Sequence, residues 1–118
     1  MQLEMLKAKL HRATVTQTNL NYHGSITIDS SLLKAAGILP YEKVEIANLN
    51  NGSRMCTYVI EGKSGSGIIG LNGASARLSS VGDKIIILCY ALCTEEEARG
   101  VKPRVIILGE SNQIIEEH

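Results

Sequence analysis

Gly24-Ser25 sits in the stretch Asn21-Tyr22-His23-Gly24-Ser25 and runs directly into Ile26-Thr27-Ile28-Asp29. A serine behind a glycine, between two extended segments, can cut its own backbone. The hydroxyl attacks the carbonyl carbon of the preceding residue, and glycine accommodates the strained geometry this needs. The cut would make Ser25 the first residue of a second fragment, where it can be converted to a pyruvoyl group. The same dipeptide is also a common turn, so the two readings have to be separated by other residues.

A polar set can be drawn from other segments. Lys9 and His11 share one face of a first strand, because side chains two apart point the same way. Arg54, Cys56 and Tyr58 share a face of a later strand, with Thr57 on the opposite face. Asn72-Gly73 falls at a strand-to-helix turn, where free backbone N–H groups can bind an anion. Each also has a plain structural reading. Lys9 can be a solvated strand lysine, Arg54 the partner of a surface carboxylate, and Tyr58 a half-buried aromatic. Thr57 favours a strand in any case, Asn72-Gly73 is a turn sequence, and His11 can be structural.

The elements that would position these groups are short. Leu6, Ala8 and Leu10 fall on one face, and Lys7, Lys9 and His11 on the other; the phase then slips to Ala13 and Val15, which predicts a bulge near His11-Arg12. Ser25 to Ile28 reads as a strand. Asp29 caps a short helix over Ser30 to Ala36, and Gly37 ends it. Val44 to Leu49 and Arg54 to Ile60 form a hairpin across Asn50-Asn51-Gly52. After a Gly/Ser-rich loop, Gly62 to Gly67, come Ile68 to Leu71 and a helical stretch, Ala74 to Leu78. Lys84 to Leu92 is an apolar run that suits a strand buried on both faces. Thr94 and Glu97 make a capping box, and strands over Arg104 to Leu108 and Gln113 to Ile115 close the chain. Many short strands with single-turn helices point to a small closed barrel.

Composition narrows the function classes. The 118 residues suit one domain, and 44% hydrophobic content supports a core that must be aliphatic, since Trp and Phe are absent and Tyr numbers four. Twelve basic residues against twelve acidic give a net charge of zero, which disfavours nucleic acid and anionic membrane as partners. Cys56, Cys89 and Cys93 are odd in number and form no Cys-x-x-Cys pair, so neither a disulfide framework nor a metal site is expected. No apolar run reaches membrane-spanning length, and a cytoplasmic protein is expected.

The combination resembles a known family. Glu4-Met5-Leu6, Lys9-Leu10-His11-Arg12, Leu20 to Asp29, Asn51-Gly52-Ser53-Arg54, Thr57-Tyr58, Asn72-Gly73-Ala74 and Val81-Gly82-Asp83 look like aspartate 1-decarboxylase, the pyruvoyl-dependent enzyme that makes β-alanine for pantothenate. The resemblance covers nearly the whole chain. It implies a mainly β fold, a six-stranded double-psi β-barrel with short helices, in a single domain over residues 1–118. It implies self-cleavage between Gly24 and Ser25 into a β chain, 1–24, and an α chain, 25–118, with or without a maturation partner. It implies a homotetramer with active sites between subunits, L-aspartate as substrate, and a covalent pyruvoyl cofactor made from Ser25 with no metal. In that scheme Ser25 supplies the ketone that forms a Schiff base with substrate, Tyr58 is the proton donor, and Thr57 assists processing. Lys9, Arg54, Thr57, Asn72, Gly73, Ala74 and Ser75 bind substrate, and His11 and Tyr22 shape the pocket. Two departures stand out: Ser75 replaces the alanine usual after Asn-Gly-Ala, and Ala47 lies where the family often has an aromatic residue. The competing reading is a non-catalytic barrel serving as a binding or regulatory module; a third is the same chemistry on glutamate.

Overall fold

A computed structural model describes residues 1–22 and 24–118. His23 of the Tyr-His-Gly-Ser stretch lies outside the described residues. The strands are β1 (Gln2–Thr14), β2 (Gln17–Asn19), β3 (Ile26–Asp29), β4 (Lys43–Asn48), β5 (Arg54–Gly62), β6 (Ile69–Asn72), β7 (Lys84–Thr94), β8 (Arg104–Leu108) and β9 (Ile114–Glu117). Two α-helices, α1 (Ser30–Ala36) and α2 (Glu95–Gly100), and a 3₁₀ helix (Gly73–Leu78) complete the mainly β fold. The strands run in the order β2-β6-β3-β5-β4-β7-β1-β8-β9. More strands are present than the six of the barrel the resemblance implies, because short or exposed segments such as β2 and β9 extend the ladder at its two ends.

Local chemistry accounts for most element boundaries. The Asp29 side chain accepts from Ser31 N at 2.8 Å and starts α1, and Gly37 ends it in the left-handed conformation at φ 72°. The same carboxylate accepts from Gly65 N at 3.0 Å and Gly67 N at 2.8 Å, so one buried side chain also ties down the Gly/Ser-rich loop. The phase slip in β1 is a bulge: its register against β7 shifts between Leu10 and Ala13, and Arg12 takes a φ of 63°. Thr94 and Glu97 form the reciprocal capping box at α2.

The core is aliphatic throughout. Leu10, Ile26, Ile28, Ile69, Leu71, Ile85, Ile87 and Ile106 are its largest fully buried side chains, each contributing on the order of 1.5–3 kcal/mol by burial. β7 departs from the expectation of two buried faces. Ile85, Ile87 and Cys89 point into the core, whereas Ile86 and Leu88 are half-buried and Leu92 is 64% exposed. That second face is only partly covered among the described residues.

Three pairings set up the site. β3 lies between β6, antiparallel to it, and β5, parallel to it, with Ile26 opposite both Leu71 and Val59. The Gly24–Ser25 bond falls in the connection between β2 and β3, just before the chain enters that position. β1 runs between β7 and β8 at a distance along the ladder from β3, with β5, β4 and β7 intervening.

Candidate active site

Ser25 enters β3 in a conformation that serine rarely holds. Its φ is 83°, and that of Gly24 is 71°. Positive φ costs little at glycine but places a non-glycine residue under strain. Ser25 is nonetheless buried, with 1% of its surface exposed. Surrounding contacts hold it there. Asn72 N donates to the Ser25 carbonyl oxygen at 3.0 Å. The two protons of Asn72 Nδ2 are spent on Ser25 Oγ at 3.2 Å and Thr27 Oγ1 at 3.0 Å. The Ser75 hydroxyl lies 2.7 Å from the Asn72 carbonyl oxygen and 3.4 Å from that of Ser25.

Gly73 explains why the turn after β6 has no side chain at this point. Its φ is 60°, and a Cβ there would fall 2.7 Å from both Gly24 Cα and Gly24 N, and 3.1 Å from the Tyr22 carbonyl oxygen. The backbones of the two turns are in contact. Gly24 N also donates to the Tyr22 carbonyl at 2.9 Å, which tightens the approach.

On its other side β3 meets β5. Two residues before the Ile26–Val59 pair on each strand stand Gly24 and Thr57. Thr57 is half-buried on the same side of β5 as buried Val59, while Arg54, Cys56 and Tyr58 occupy the exposed side, as period two requires. Arg54 pairs with Glu45 across the hairpin, Nη2 to Oε1 at 2.9 Å and Nε to the same oxygen at 3.2 Å. A shallow groove of about 320 Å³ crosses this face, with Lys43, Glu45, Cys56 and Tyr90 in its walls.

Lys9 and His11 share the half-buried face of β1; Lys9 is opposite Leu88 in β7 and Val105 in β8, and His11, within the register shift against β7, is opposite Ile107 in β8. The Nδ1 atom of His11 is buried, with no hydrogen-bond partner among the described residues. Burial first, then the charges of Lys9 and Arg12, hold its pKa below the ordinary 6.5. Among the described residues, no hydrogen bond or ion pair links Lys9, His11 or Arg54 to Ser25. One chain therefore assembles Gly24, Ser25, Asn72, Gly73 and Ser75, with Thr57 at the adjoining register position. Lys9, His11, Arg54 and Tyr58 stand on other faces, and Tyr22 is exposed beside the turn.

Thr27 and Glu45 are the site neighbours that sequence reading missed. Thr27 was legible, being two residues from Ser25 on one strand face and polar between Ile26 and Ile28. Glu45 was legible only through the hairpin, which brings β4 beside β5. No cluster of three His, Cys, Asp or Glu able to hold a metal ion occurs among the described residues, and no described helix is long and apolar enough to cross a membrane.

Comparison with known proteins extends these observations. The chain matches the aspartate decarboxylase family over residues 1–115. Proteins named aspartate 1-decarboxylase are similar to it from end to end. That of Carboxydothermus hydrogenoformans is 59% identical over 115 residues, covering 98% of this chain and 91% of the relative. That of Clostridium acetobutylicum is 60% identical over 97% and 90%, and that of Clostridium beijerinckii 60% over 98% and 94%. The crystal structure of the computationally designed msDPBB_sym2 protein overlays with a TM-score of 0.46 at 20% identity, covering 75% of this chain and 99% of that one. Matched over nearly its full length, the chain belongs to the aspartate decarboxylase family.

Proposed function

We propose that this chain cuts itself between Gly24 and Ser25, and that the product is a pyruvoyl-dependent enzyme converting L-aspartate to β-alanine and CO₂ in the cytoplasm, for pantothenate synthesis. The observation that carries the reading is the strained, buried Ser25 pressed by Asn72, Gly73 and Ser75. Strain at a buried serine is a cost without structural return, and cutting the preceding bond relieves it.

The residues present fit a pyruvoyl group at position 25. Asn72 holds the backbone carbonyl and Oγ of Ser25, and Gly73 keeps a side chain out of the space above the turn. The group supplies a carbonyl electrophile and electron sink that no ordinary side chain provides.

The chain's own groups then take separable roles. Ser25 Oγ attacks the Gly24 carbonyl carbon. Asn72 Nδ2 donates to that Oγ, so it orients the nucleophile and cannot take its proton. The oxyanion formed on Gly24 calls for a donor, and the Thr57 hydroxyl takes that role; support comes from its position two residues before Val59, as Gly24 is two before Ile26 in the paired strand. In turnover, Tyr58 delivers a proton to the substrate carbon that loses CO₂. Arg54 grips a substrate carboxylate in bidentate fashion, exchanging Glu45 for it. Lys9 adds positive charge, and the Gly73 and Ala74 N–H groups at the start of the 3₁₀ helix add donors. The dispersal of Lys9, Arg54 and Ser25 over one chain supports a homotetramer whose sites lie between subunits, and the open face of β7 is surface available for such contact.

Intact mass and a denaturing gel test this directly. Two fragments are expected, 1–24 and 25–118, the larger without a free amino terminus and reducible by borohydride. Ser25→Ala gives one chain and no β-alanine. A single uncut chain after prolonged warming refutes the reading.

A further inference from the structure

We propose that the Asn72 N–H and the Ser75 hydroxyl form an anion hole for the backbone carbonyl oxygen of Ser25, and that Ser75 thereby speeds the elimination stage of self-cutting. The inference rests on the self-cutting proposed above. It concerns a different oxygen from the one on Gly24 that is charged during the first attack.

The chemistry identifies which atom needs help. After the attack, Ser25 Oγ carries the Gly24 acyl group as an ester, and the Ser25 nitrogen is a free amine. Elimination removes the Ser25 Cα proton to a solvent-derived base. The electron pair left behind spreads onto the Ser25 carbonyl oxygen. It returns to form the Cα–Cβ double bond as Cβ–Oγ breaks and Gly24 departs as a carboxylate. Water then replaces the nitrogen, which leaves as ammonia, and the ketone remains. No oxidant or reductant is needed.

Two donors converge on that oxygen. Asn72 N lies at 3.0 Å and Ser75 Oγ at 3.4 Å, and Asn72 and Ser75 are both buried. A serine in a helical turn commonly bonds back to the carbonyl three residues earlier, which accounts for the 2.7 Å contact to Asn72. It does not account for the approach to a carbonyl 50 residues away in sequence. A hydroxyl has one proton and rotates to suit. In the uncut chain the proton goes to the Asn72 carbonyl, at the shorter distance. As charge gathers on the Ser25 oxygen, a bond to that oxygen becomes the stronger of the two. The Asn72 carbonyl, at the N-cap of the 3₁₀ helix, keeps its helical partner when the hydroxyl turns away. An interaction that strengthens only as charge develops lowers the barrier rather than stabilising the resting chain.

The test separates the two stages in freshly made full-length chain. The rate at which the pyruvoyl-ended fragment appears is followed by intact mass. The rate of cleavage under saturating hydroxylamine, which intercepts the ester before elimination, is measured alongside it. Ser75→Ala should lower the first rate about three- to tenfold and leave the second unchanged. Ser75→Cys, which fills the same space with a weak donor, should behave like the alanine variant. A spectroscopic readout accompanies these. Ser25-Ile26 is the single Ser-Ile pair in the sequence, so carbonyl-¹³C serine with ¹⁵N isoleucine isolates the one carbonyl carbon at issue. Its resonance should stay in place in Ser75→Ala, because the hydroxyl of the uncut chain bonds to Asn72; an upfield shift would show the bond to the Ser25 oxygen already made at rest and would overturn the proposal. Equal rates in Ser75→Ala, loss of both rates together, or full recovery with cysteine would each overturn the proposal while leaving self-cutting intact. Failure of the unaltered chain to cut overturns both.

Discussion

Replacing Gly73 by alanine should slow self-cutting as well as destabilise the fold. The added Cβ meets Gly24 Cα and N at 2.7 Å, against about 3.4 Å for an ordinary contact. The neighbour is backbone, so relief of roughly 0.7 Å has to come from moving the turn that holds the scissile bond. The positive φ of 60° adds about 1–2 kcal/mol for a residue with a side chain. A displacement approaching 1 Å at reacting atoms costs on the order of 10²-fold in rate, so the expected slowing is about ten- to a hundredfold. Gly52→Ala is the control. Gly52 has a φ of 75° but no atom within 4 Å of the position its Cβ would take, so it carries the conformational cost without the collision. Cutting is followed by denaturing gel and intact mass, and stability by urea unfolding of Ser25→Ala versions of both variants, which cannot cut. Gly73→Ala cutting at the unaltered rate, or Gly52→Ala slowing it equally, would show that the contact between the two turns does not govern the reaction.

Asp29→Asn should destabilise the fold by about 1–3 kcal/mol, because one oxygen that now accepts from Gly67 N becomes a donor. Burial pushes the Asp29 pKa up, but the Gly67 N–H, the Ser31 hydroxyl and the Ser31 and Gly65 N–H groups together hold it below 3.8. Its stabilisation is thus complete above the unfolded value and is lost as pH falls through the lower folded value. Urea midpoints measured from pH 6 down to roughly pH 3 should fall more steeply for the unaltered chain than for Asp29→Asn; parallel curves would contradict this. Tyr58→Phe should cut normally yet decarboxylate about 10²-fold more slowly or worse, and normal turnover would remove Tyr58 from the acid role. Arg54→Lys should raise KM for aspartate about tenfold, by loss of the bidentate grip, with cutting unaffected. Its stability should change by less than about 1 kcal/mol, because the pair with Glu45 is exposed.

Features set by neighbouring residues were readable from the sequence. The Asp29 cap, the Gly37 stop, the Thr94–Glu97 box and the bulge at Arg12 each follow from side chains within a few residues of one another. β2 was not readable, because three exposed residues carry no period. Nor was strand order, since the parallel pairing of β3 with β5 depends on residues more than 30 apart. The second face of β7 was misread for a related reason: an apolar run shows that a surface seeks cover, not that its own chain provides it. In the candidate site, residue types pointed to Ser25, Asn72 and Gly73. Their contact required β6 to lie against β3. The hydroxyl of Ser75 near the Ser25 carbonyl could not be anticipated from a departure in one residue.

The place of β1 in the ladder bears on what the proposed cut does to the molecule. Residues 1–24 would become a separate peptide, yet its 13-residue strand is hydrogen-bonded along both edges, to β7 and β8. The peptide therefore stays in place without a covalent tether. Unfolding would then release two molecules instead of one, and its midpoint would rise with protein concentration. Denatured enzyme would have to find its own severed piece again by diffusion, whereas the uncut chain folds with that piece attached. Assembly before cutting is thus the favourable order of events, and the cut makes it hard to reverse.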